Sequence, residues 1–223
     1  MTSPAPDTTA GTEPCSDCPR CPRLVDYRQR NREVEPTWHN APVASFGPAG
    51  ARLLIVGLAP GVRGANRTGR PFTGDYAGDL LYATLLEAGF ATGDYRADPA
   101  DGLTLVESRI TNAVRCVPPQ NKPTPAEIAT CRDFLAATVR AMPRLEAILV
   151  LGRIAHESTL AALGLRRASF QFAHGASFEL PDFRPGGLRL HCSYHCSRYN
   201  TQTRRLTPEM FRTVVQRIRD ELS

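Results

Sequence analysis

The chain has 223 residues, of which 42% are hydrophobic, and its formal net charge at pH 7 is +5. This length favours one domain with a sizeable core. No apolar run reaches the roughly 20 residues of a membrane-spanning helix, and the first residues lack the pattern of a secretory signal, so we expect neither a membrane protein nor a secreted one. The mild basic excess, all Arg except for Lys122, permits a nucleic-acid partner without requiring one.

Composition and hydrophobic periodicity predict the elements in chain order. Residues 1–14 are rich in Pro, Thr and Ala, which predicts a disordered tail before a single domain over 15–223. Short apolar runs predict buried strands over 53–56, 110–112, 148–151 and 188–190. Helical spacing predicts helices over 81–88, 128–142 and 211–222, the last two begun by Thr-Pro pairs at Thr124 and Thr207. This alternation predicts a three-layer α/β/α fold around a mostly parallel sheet of four strands.

Residues able to carry chemistry follow the carboxyl ends of these strands. The first strand leads into the Gly-rich segment 57–61, the second into Asn112, and the last into a polar segment containing His195. Such loops meet at one edge of a parallel sheet. An aromatic ring at Phe72 can stack on a planar ligand, the Asn112 amide can both donate and accept hydrogen bonds, and His195 can stabilise a developing oxyanion. Core packing, a turn and a structural histidine are the ordinary alternatives for these three residues.

The Gly-rich loop that follows the first strand matches neither a Walker A sequence nor a dinucleotide fingerprint, so a nucleotide cofactor is not expected there. Its glycines allow close approach of the backbone to a ligand. An ordinary flexible loop is the alternative.

Seven cysteines, an odd and clustered set, favour metal binding over a disulfide framework. Cys15, Cys18 and Cys21 lie at three-residue steps, and Cys116 and Cys131 follow much later. Four thiolates from two pairs suit either Zn²⁺ or an iron–sulfur cluster, and the spacing does not choose between them. Unliganded core cysteines are the alternative.

Taken together and in order, these motifs resemble the iron–sulfur uracil-DNA glycosylases of family 5, the UDGb type. The matching segments are 18–22, 57–61, 64–75, 110–116, 193–198 and 200–207. The resemblance implies an enzyme of base excision repair that flips uracil out of DNA and hydrolyses its glycosidic bond. We further expect damaged, mainly double-stranded DNA as partner, a monomer as the default state, and a cytoplasmic, nucleoid-associated location of prokaryotic type.

The resemblance further implies roles for individual residues. His195 and Asp75 are the expected catalytic residues: His195 stabilises the leaving base, and Asp75 positions water, balances the cationic sugar or merely caps a helix. Hypoxanthine and ethenocytosine are further expected substrates, because Ala59 and Pro60 replace a polar side chain of related families. The expected substrate-binding residues are Gly57, Ala59, Pro60, Gly61, Phe72 and Asn112. The expected DNA-binding residues are Arg63, Arg67, Arg198, Tyr199, Asn200, Arg204 and Arg205.

The resemblance selects a [4Fe–4S] cluster held by Cys18, Cys21, Cys116 and Cys131. Cys15 is then spare, although the pair of Cys15 and Cys18 has the same spacing as the pair chosen.

An enzyme that also cuts the backbone typically needs an amine for a Schiff base. The one lysine, Lys122, lies in the Pro-rich segment 117–125, expected away from the active rim, so we expect a monofunctional enzyme that leaves an abasic site. Two other functions compete with this interpretation. A non-catalytic, metal-stabilised nucleic-acid-binding module explains the charge and the cysteines, and a hydrolase of free nucleosides explains the pocket.

Overall fold

The structure is a computed structural model and describes residues 11–223. The strands of this part are β1 (Leu53–Gly57), β2 (Ala91–Thr92), β3 (Thr104–Leu105), β4 (Ser108–Asn112), β5 (Ala147–Leu151), β6 (Ser177–Glu179) and β7 (Arg189–Ser193). The α-helices are α1 (Pro22–Val34), α2 (Ala65–Thr68), α3 (Tyr76–Glu87), α4 (Pro125–Arg140), α5 (Arg153–Ala162), α6 (Arg198–Gln202) and α7 (Pro208–Glu221). Short 3₁₀ helices cover Pro119–Asn121, Arg167–Ser169 and Pro181–Phe183.

The central sheet has the strand order β4-β1-β5-β7-β6. The first four strands are mutually parallel, and β6 is antiparallel to β7 at one edge. Strands β2 and β3 form a separate antiparallel pair. Every residue of β1, β4 and β5 is buried, as expected for parallel strands covered on both faces.

Helices cover both faces of the sheet, because successive strand residues point to opposite sides. Leu53 and Ile55 pack with the apolar faces of α3 and α7 in one core cluster. Leu54 and Val56 pack with α4 and α5 in the other. The predicted three-layer α/β/α architecture is therefore confirmed. No helix in the described residues is long and apolar enough to span a membrane.

The sheet has five strands and not the four that the sequence predicts. The additional strand, β6, is three residues long, and only its central residue, Phe178, is apolar. As an antiparallel edge strand it needs no continuous apolar run. The strand predicted over 188–190 is also displaced, because β7 runs to Ser193 and includes the buried His191, whose Nε2 lies 3.2 Å from Glu221 Oε2.

The ordered N-terminal contacts begin before residue 15, the predicted start of the domain. Residues 1–10 of the predicted tail lie outside the described residues. Within residues 11–14, Thr12 is buried, and a carboxylate oxygen of Glu13 accepts a hydrogen bond from Arg115 Nη1 at 2.9 Å. The other carboxylate oxygen accepts one from the Ser45 amide at 3.1 Å. The structure thus differs from the prediction over these four residues.

Candidate active site

The loops beyond β1, β4 and β7 surround a cavity of about 350 Å³ at the carboxyl edge of the sheet. The parallel register fixes this convergence, since Gly57 pairs with Asn112 at the ends of β1 and β4. Sequence-predicted residues that line the cavity are Ala59, Pro60, Gly61, Phe72, Asp75, Asn112, His195 and Arg198. Other lining residues are Leu58, Ala65, Tyr76, Ala77, Asn121 and Ser197.

Gly57, predicted to bind substrate, lies behind the cavity and is not one of its lining residues. A Cβ atom at this position would lie 2.5 Å from Asn112 Oδ1 and 2.6 Å from Phe72 Cζ. Both distances are shorter than any tolerated carbon contact. Glycine here therefore lets the Asn112 amide and the Phe72 ring approach the end of β1 together.

The Phe72 ring forms an apolar wall of the cavity and packs against the imidazole of His195. The two ring centroids are 5.7 Å apart and the rings are inclined by 27°. Phe72 has a φ of +52°, which L residues rarely adopt. Its carbonyl accepts a hydrogen bond from the Tyr95 hydroxyl at 3.3 Å, and the absence of a side chain at Gly78 leaves room for that carbonyl.

A buried ion pair supports the turn that carries Phe72. Arg70 donates two hydrogen bonds to the Asp101 carboxylate, at 2.8 and 2.7 Å, and both side chains are almost fully buried. The Arg70 guanidinium holds the pKa of Asp101 well below its usual range. It also packs over the rings of Tyr82 and Phe46. Because the charges are paired and hydrogen-bonded, this pair fixes the turn from inside the protein.

Asn112 presents an unused amide to the cavity. The residue is 2% exposed, and its side chain makes no hydrogen bond to any other residue of 11–223. Asn112 is not among the described residues whose side-chain nitrogen or oxygen atoms are fully buried without a partner, so its amide stays open to the cavity. An amide in this position offers one donor group and one acceptor group to a ligand in the cavity.

His195 follows the end of β7, and a side chain of α6 bonds its backbone carbonyl. The His195 carbonyl accepts a hydrogen bond from Asn200 Nδ2 at 2.8 Å, so the Asn200 side chain supports this loop. Burial lowers the pKa of His195 to about 4. The imidazole is therefore neutral near pH 7, and one ring nitrogen carries a hydrogen that it can donate.

Asp75 both caps a helix and lines the cavity. As the N-cap of α3, it accepts a hydrogen bond on Oδ1 from the Gly78 amide at 3.3 Å. Its other oxygen, Oδ2, faces Gly61 and Gly64, where added Cβ atoms would lie 3.0 and 2.4 Å from it. Burial raises the pKa of Asp75 above its usual value. The cap and a role in the cavity are thus compatible.

The Pro-rich segment 117–125 reaches the rim of the cavity, contrary to its expected position. Asn121 lines the cavity, and both Gln120 and Asn121 have a φ of +56°. The neighbouring Lys122 is exposed and is not a lining residue. Sequence reasoning missed Asn121, although its place in the loop beyond β4 was an available signal.

Six of the seven predicted DNA-binding residues are exposed, Asn200 being half-buried; they are Arg63, Arg67, Arg198, Tyr199, Arg204 and Arg205. Arg198 lies over the Tyr76 ring, 5.3 Å from its centroid, at the cavity itself. Arg205 lies 4.6 Å from the centroid of Tyr194 and lines an adjacent cavity of about 360 Å³, which His195 also lines. Cations and aromatic rings therefore continue outward from the cavity.

Four cysteines from distant parts of the chain line a second, smaller site. Cys18, Cys21, Cys116 and Cys131 share one cavity, whereas Cys15 is exposed and does not line it. The Arg115 amide donates to Cys131 Sγ at 3.3 Å. All the cysteines are free thiols. Within residues 11–223, no three His, Cys, Asp or Glu side chains are arranged to hold a single metal ion.

The cysteine site adjoins the candidate active site. Ala59, which lines the larger cavity, also packs against the apolar cluster of Leu24, Val114 and Cys131. Burial raises the pKa of Cys21 to about 11 and that of Cys116 to about 12. These thiols therefore require a nearby cationic group if they are to be thiolates near neutral pH.

The chain is similar in sequence to known proteins. A model of the Uracil DNA glycosylase superfamily matches residues 44–219. The chain is 46% identical over 215 residues to the type-5 uracil-DNA glycosylase of Thermus thermophilus, which covers 94% of this chain and 95% of that protein. It is 44% identical over 204 residues to the Mycobacterium tuberculosis type-5 enzyme (87% and 74%) and 38% identical over 206 residues to the Pyrobaculum aerophilum type-5 enzyme (90% and 87%).

Proposed function

This chain belongs to the uracil-DNA glycosylase superfamily, and from that membership we propose that it hydrolyses the glycosidic bond of uracil in DNA, as an enzyme of DNA repair. Membership confirms the resemblance noted from the motifs. One observation carries the proposal: an unbonded amide at Asn112 and a neutral imidazole at His195 face one cavity that the Phe72 ring also lines.

The cavity suits a base that has left the DNA stack. The glycosidic bond is unreachable inside a duplex, so the nucleotide must be flipped out before it can react. Phe72 supplies a ring face for the planar base. The Asn112 amide pairs its donor and its acceptor with the complementary groups on the uracil edge, whereas cytosine presents the opposite pattern.

His195 and Asp75 divide the chemical work in this proposal. As the bond to the sugar breaks, negative charge grows on the base, and the neutral imidazole of His195 donates a hydrogen bond to it. Asp75 is the one carboxylate among the described lining residues, so it is the group we assign to water or to the cationic sugar. Asn121 adds a second polar side chain for holding water on the rim.

The apolar first loop broadens the range of bases in our proposal. Ala59 and Pro60 place no polar side chain in the cavity, whose volume is about 350 Å³. We therefore extend the proposed substrates to hypoxanthine and ethenocytosine. The proposed DNA is mainly double-stranded and the proposed protein a monomer acting at the nucleoid.

We also propose a [4Fe–4S] cluster on Cys18, Cys21, Cys116 and Cys131. Their common cavity and the exposed position of Cys15 support this set of ligands, and the resemblance to the iron–sulfur glycosylases selects the cluster. The cluster lies behind Ala59, so its proposed contribution is structural support of the first loop.

The deciding experiment uses an end-labelled duplex with one uracil opposite guanine, incubated with purified protein and analysed with and without hot alkali. Strand scission only after alkali supports a monofunctional glycosylase. Scission without alkali, once a nuclease is excluded, contradicts that assignment, and Lys122→Ala then tests the one lysine amine. A protein that binds the duplex but releases no base from duplexes carrying uracil, hypoxanthine or ethenocytosine supports the non-catalytic binding module instead.

A further inference from the structure

A buried arginine of α1 lies against the cysteine site. The two buried residues of α1 are Leu24 and Arg28, one turn apart, and both line the cavity of the four cysteines. Arg28 is 3% exposed, although an arginine is rarely buried unless its charge is compensated. The buried face of α1 thus brings a full positive charge to this cavity.

The guanidinium of Arg28 contacts cysteine residues and no carboxylate. Its Nη1 donates to Cys116 Sγ at 3.8 Å, its Nη2 donates to the Cys18 carbonyl at 3.1 Å, and its buried Nε has no partner among the described residues. It forms none of the ion pairs found in residues 11–223. Asp17, whose pKa Arg28 helps to lower, is exposed and bonded to Arg32.

An uncompensated buried cation is costly for a protein. Four thiolates around an iron–sulfur core carry more negative charge than the core neutralises, and they accept hydrogen bonds on sulfur. Arg28 has no carboxylate partner among the described residues, and cysteines that hold a cluster would supply the negative charge that it lacks. Arg28 and the cysteines that hold the cluster therefore compensate each other's charge.

We propose that Arg28 is the counter-ion and sulfur hydrogen-bond donor of the cluster, and that its charge raises the reduction potential of the cluster and helps to retain it. The inference rests on the proposed cluster at Cys18, Cys21, Cys116 and Cys131. Arg28 is a positioning residue and touches no substrate. A positive charge nearby favours the more negative, reduced form of the cluster, so its removal shifts the potential to more negative values.

The test compares full-length wild type with Arg28→Gln, Arg28→Lys and the control Arg32→Gln, all purified anaerobically. Arg32 lies one turn further along the same helix and bonds Asp17 and the carbonyls of Ser16 and Asn40, and within residues 11–223 it makes no hydrogen bond to a cysteine sulfur. The measurements are iron per chain, the one-electron reduction potential by spectroscopic titration, and the rate of iron loss to a chelator. A residue that only holds the Cys18 loop alters iron loss but leaves the potential of the retained cluster unchanged.

We expect Arg28→Gln to shift the potential to more negative values and to lose iron about tenfold faster, the low end of the loss in metal affinity when a hydrogen-bond partner of a metal ligand is removed. Arg28→Lys keeps a potential close to that of wild type. Arg32→Gln loosens only the loop at Ser16 and Asp17, so it also keeps the wild-type potential, whatever its rate of iron loss. The inference is overturned if Arg28→Gln keeps the wild-type potential, or if Arg28→Lys behaves like Arg28→Gln. If Arg28→Gln does not fold, Arg28→Lys decides: wild-type values support the inference and loss of the cluster overturns it.

Failure of this inference is separable from failure of the proposed function. Wild-type protein without iron after reconstitution overturns the cluster and the inference together. Iron-loaded protein that fails to release uracil contradicts the proposed activity but leaves the Arg28 comparison intact. Iron-loaded, active protein whose potential is independent of residue 28 overturns the inference alone.

Discussion

At the scale of single residues, the end of β1 is a tightly constrained point of the candidate site. Gly57→Ala places a methyl group 2.5 Å from Asn112 Oδ1 and 2.6 Å from Phe72 Cζ, so both groups must move. A displacement of about 1 Å can reduce a rate roughly 100-fold, and we expect a loss of that order in single-turnover uracil release. Gly50→Ala is the matched control, because it meets no atom within 4 Å. Equal activity of the two variants would contradict the assigned geometry.

His195→Ala is expected to lower the single-turnover rate at least about 100-fold, the cost of losing one donor to a developing negative charge. DNA binding should persist, since the exposed arginines are unaltered. Burial lowers the pKa of His195 to about 4, so the imidazole stays neutral down to that pH and its protonation causes no fall in rate above pH 5. The rate of His195→Gln, which retains an N–H donor, should lie between those of wild type and His195→Ala.

The lowered pKa of His195 also affects stability. The unfolded chain, with a histidine pKa of about 6.5, binds a proton more readily than the folded protein does. The contribution of neutral His195 is therefore complete above pH 6.5 and is lost as the pH falls toward 4. Thermal melts across this range should show a smaller acid-induced decrease for His195→Gln than for wild type.

The charged Asp75 carboxylate is expected to lower the stability of the folded protein while supporting excision. Burial raises its pKa, so the folded protein disfavours the charged carboxylate, and this cost is largest at pH values well above the raised pKa. Asp75→Asn keeps a helix cap and removes the charge, so it should raise the melting temperature at pH 8 while slowing excision. The gain should shrink as the pH is lowered. Asp79→Asn, an exposed change in the same first turn, should give no such gain.

At the scale of elements, the turn before α3 depends on the buried pair of Arg70 and Asp101. Asp101→Asn leaves Arg70 buried without its counter-charge, which typically costs about 3–5 kcal/mol. Denaturant unfolding should therefore show a loss of that order, together with slower excision because the same turn carries Phe72. Asp94→Asn, at an exposed position of the neighbouring segment, is the control and should change neither quantity. An unaltered free energy of unfolding for Asp101→Asn would show that the pair contributes little.

The sequence predicts those elements whose burial follows a simple period. β1 and β5 are continuous apolar runs, and α4 has both a capping box at Thr124 and a regular buried face. The helix α1 is missed because its buried face consists of Leu24 and Arg28, and a buried arginine breaks the apolar pattern. β6 is missed because tertiary pairing with β7, and no apolar run of its own, makes it a strand.

The same limit applies to the candidate site. Strand ends predict that Asn112 and His195 share a rim, because parallel strands deliver their loops to one edge. They do not predict that Asn200 supports His195, that Asn121 enters the rim, or that Phe72 adopts a positive φ. Each of these features depends on contacts between distant segments, which a local pattern does not encode.

At the scale of the whole molecule, exposed cations near the cavity should govern DNA affinity. Arg204 and Arg205 are exposed, and Arg205 lines the cavity next to the candidate active site. Replacing both by Ala should weaken binding and reduce the slope of log affinity against log salt by about 2, since each phosphate contact contributes about 0.9. The control Arg144→Ala removes a 59% exposed cation bonded to Glu107. These two residues precede β5 and β4 in the chain, so they lie at the amino edge of the sheet, opposite the cavity. An equal effect of the control would argue for diffuse electrostatics.

The two cysteine pairs of the second site are far apart along the chain, and this has a consequence for biosynthesis. Cys21 and Cys131 are separated by about 110 residues. At roughly 5 to 20 residues per second, the ribosome adds Cys131 some 5 to 20 s after Cys21. A cofactor bound by both pairs can enter only after that interval, and the first pair of thiols must meanwhile stay reduced. Maturation of the site is therefore a late event, which follows translation of more than half of the chain.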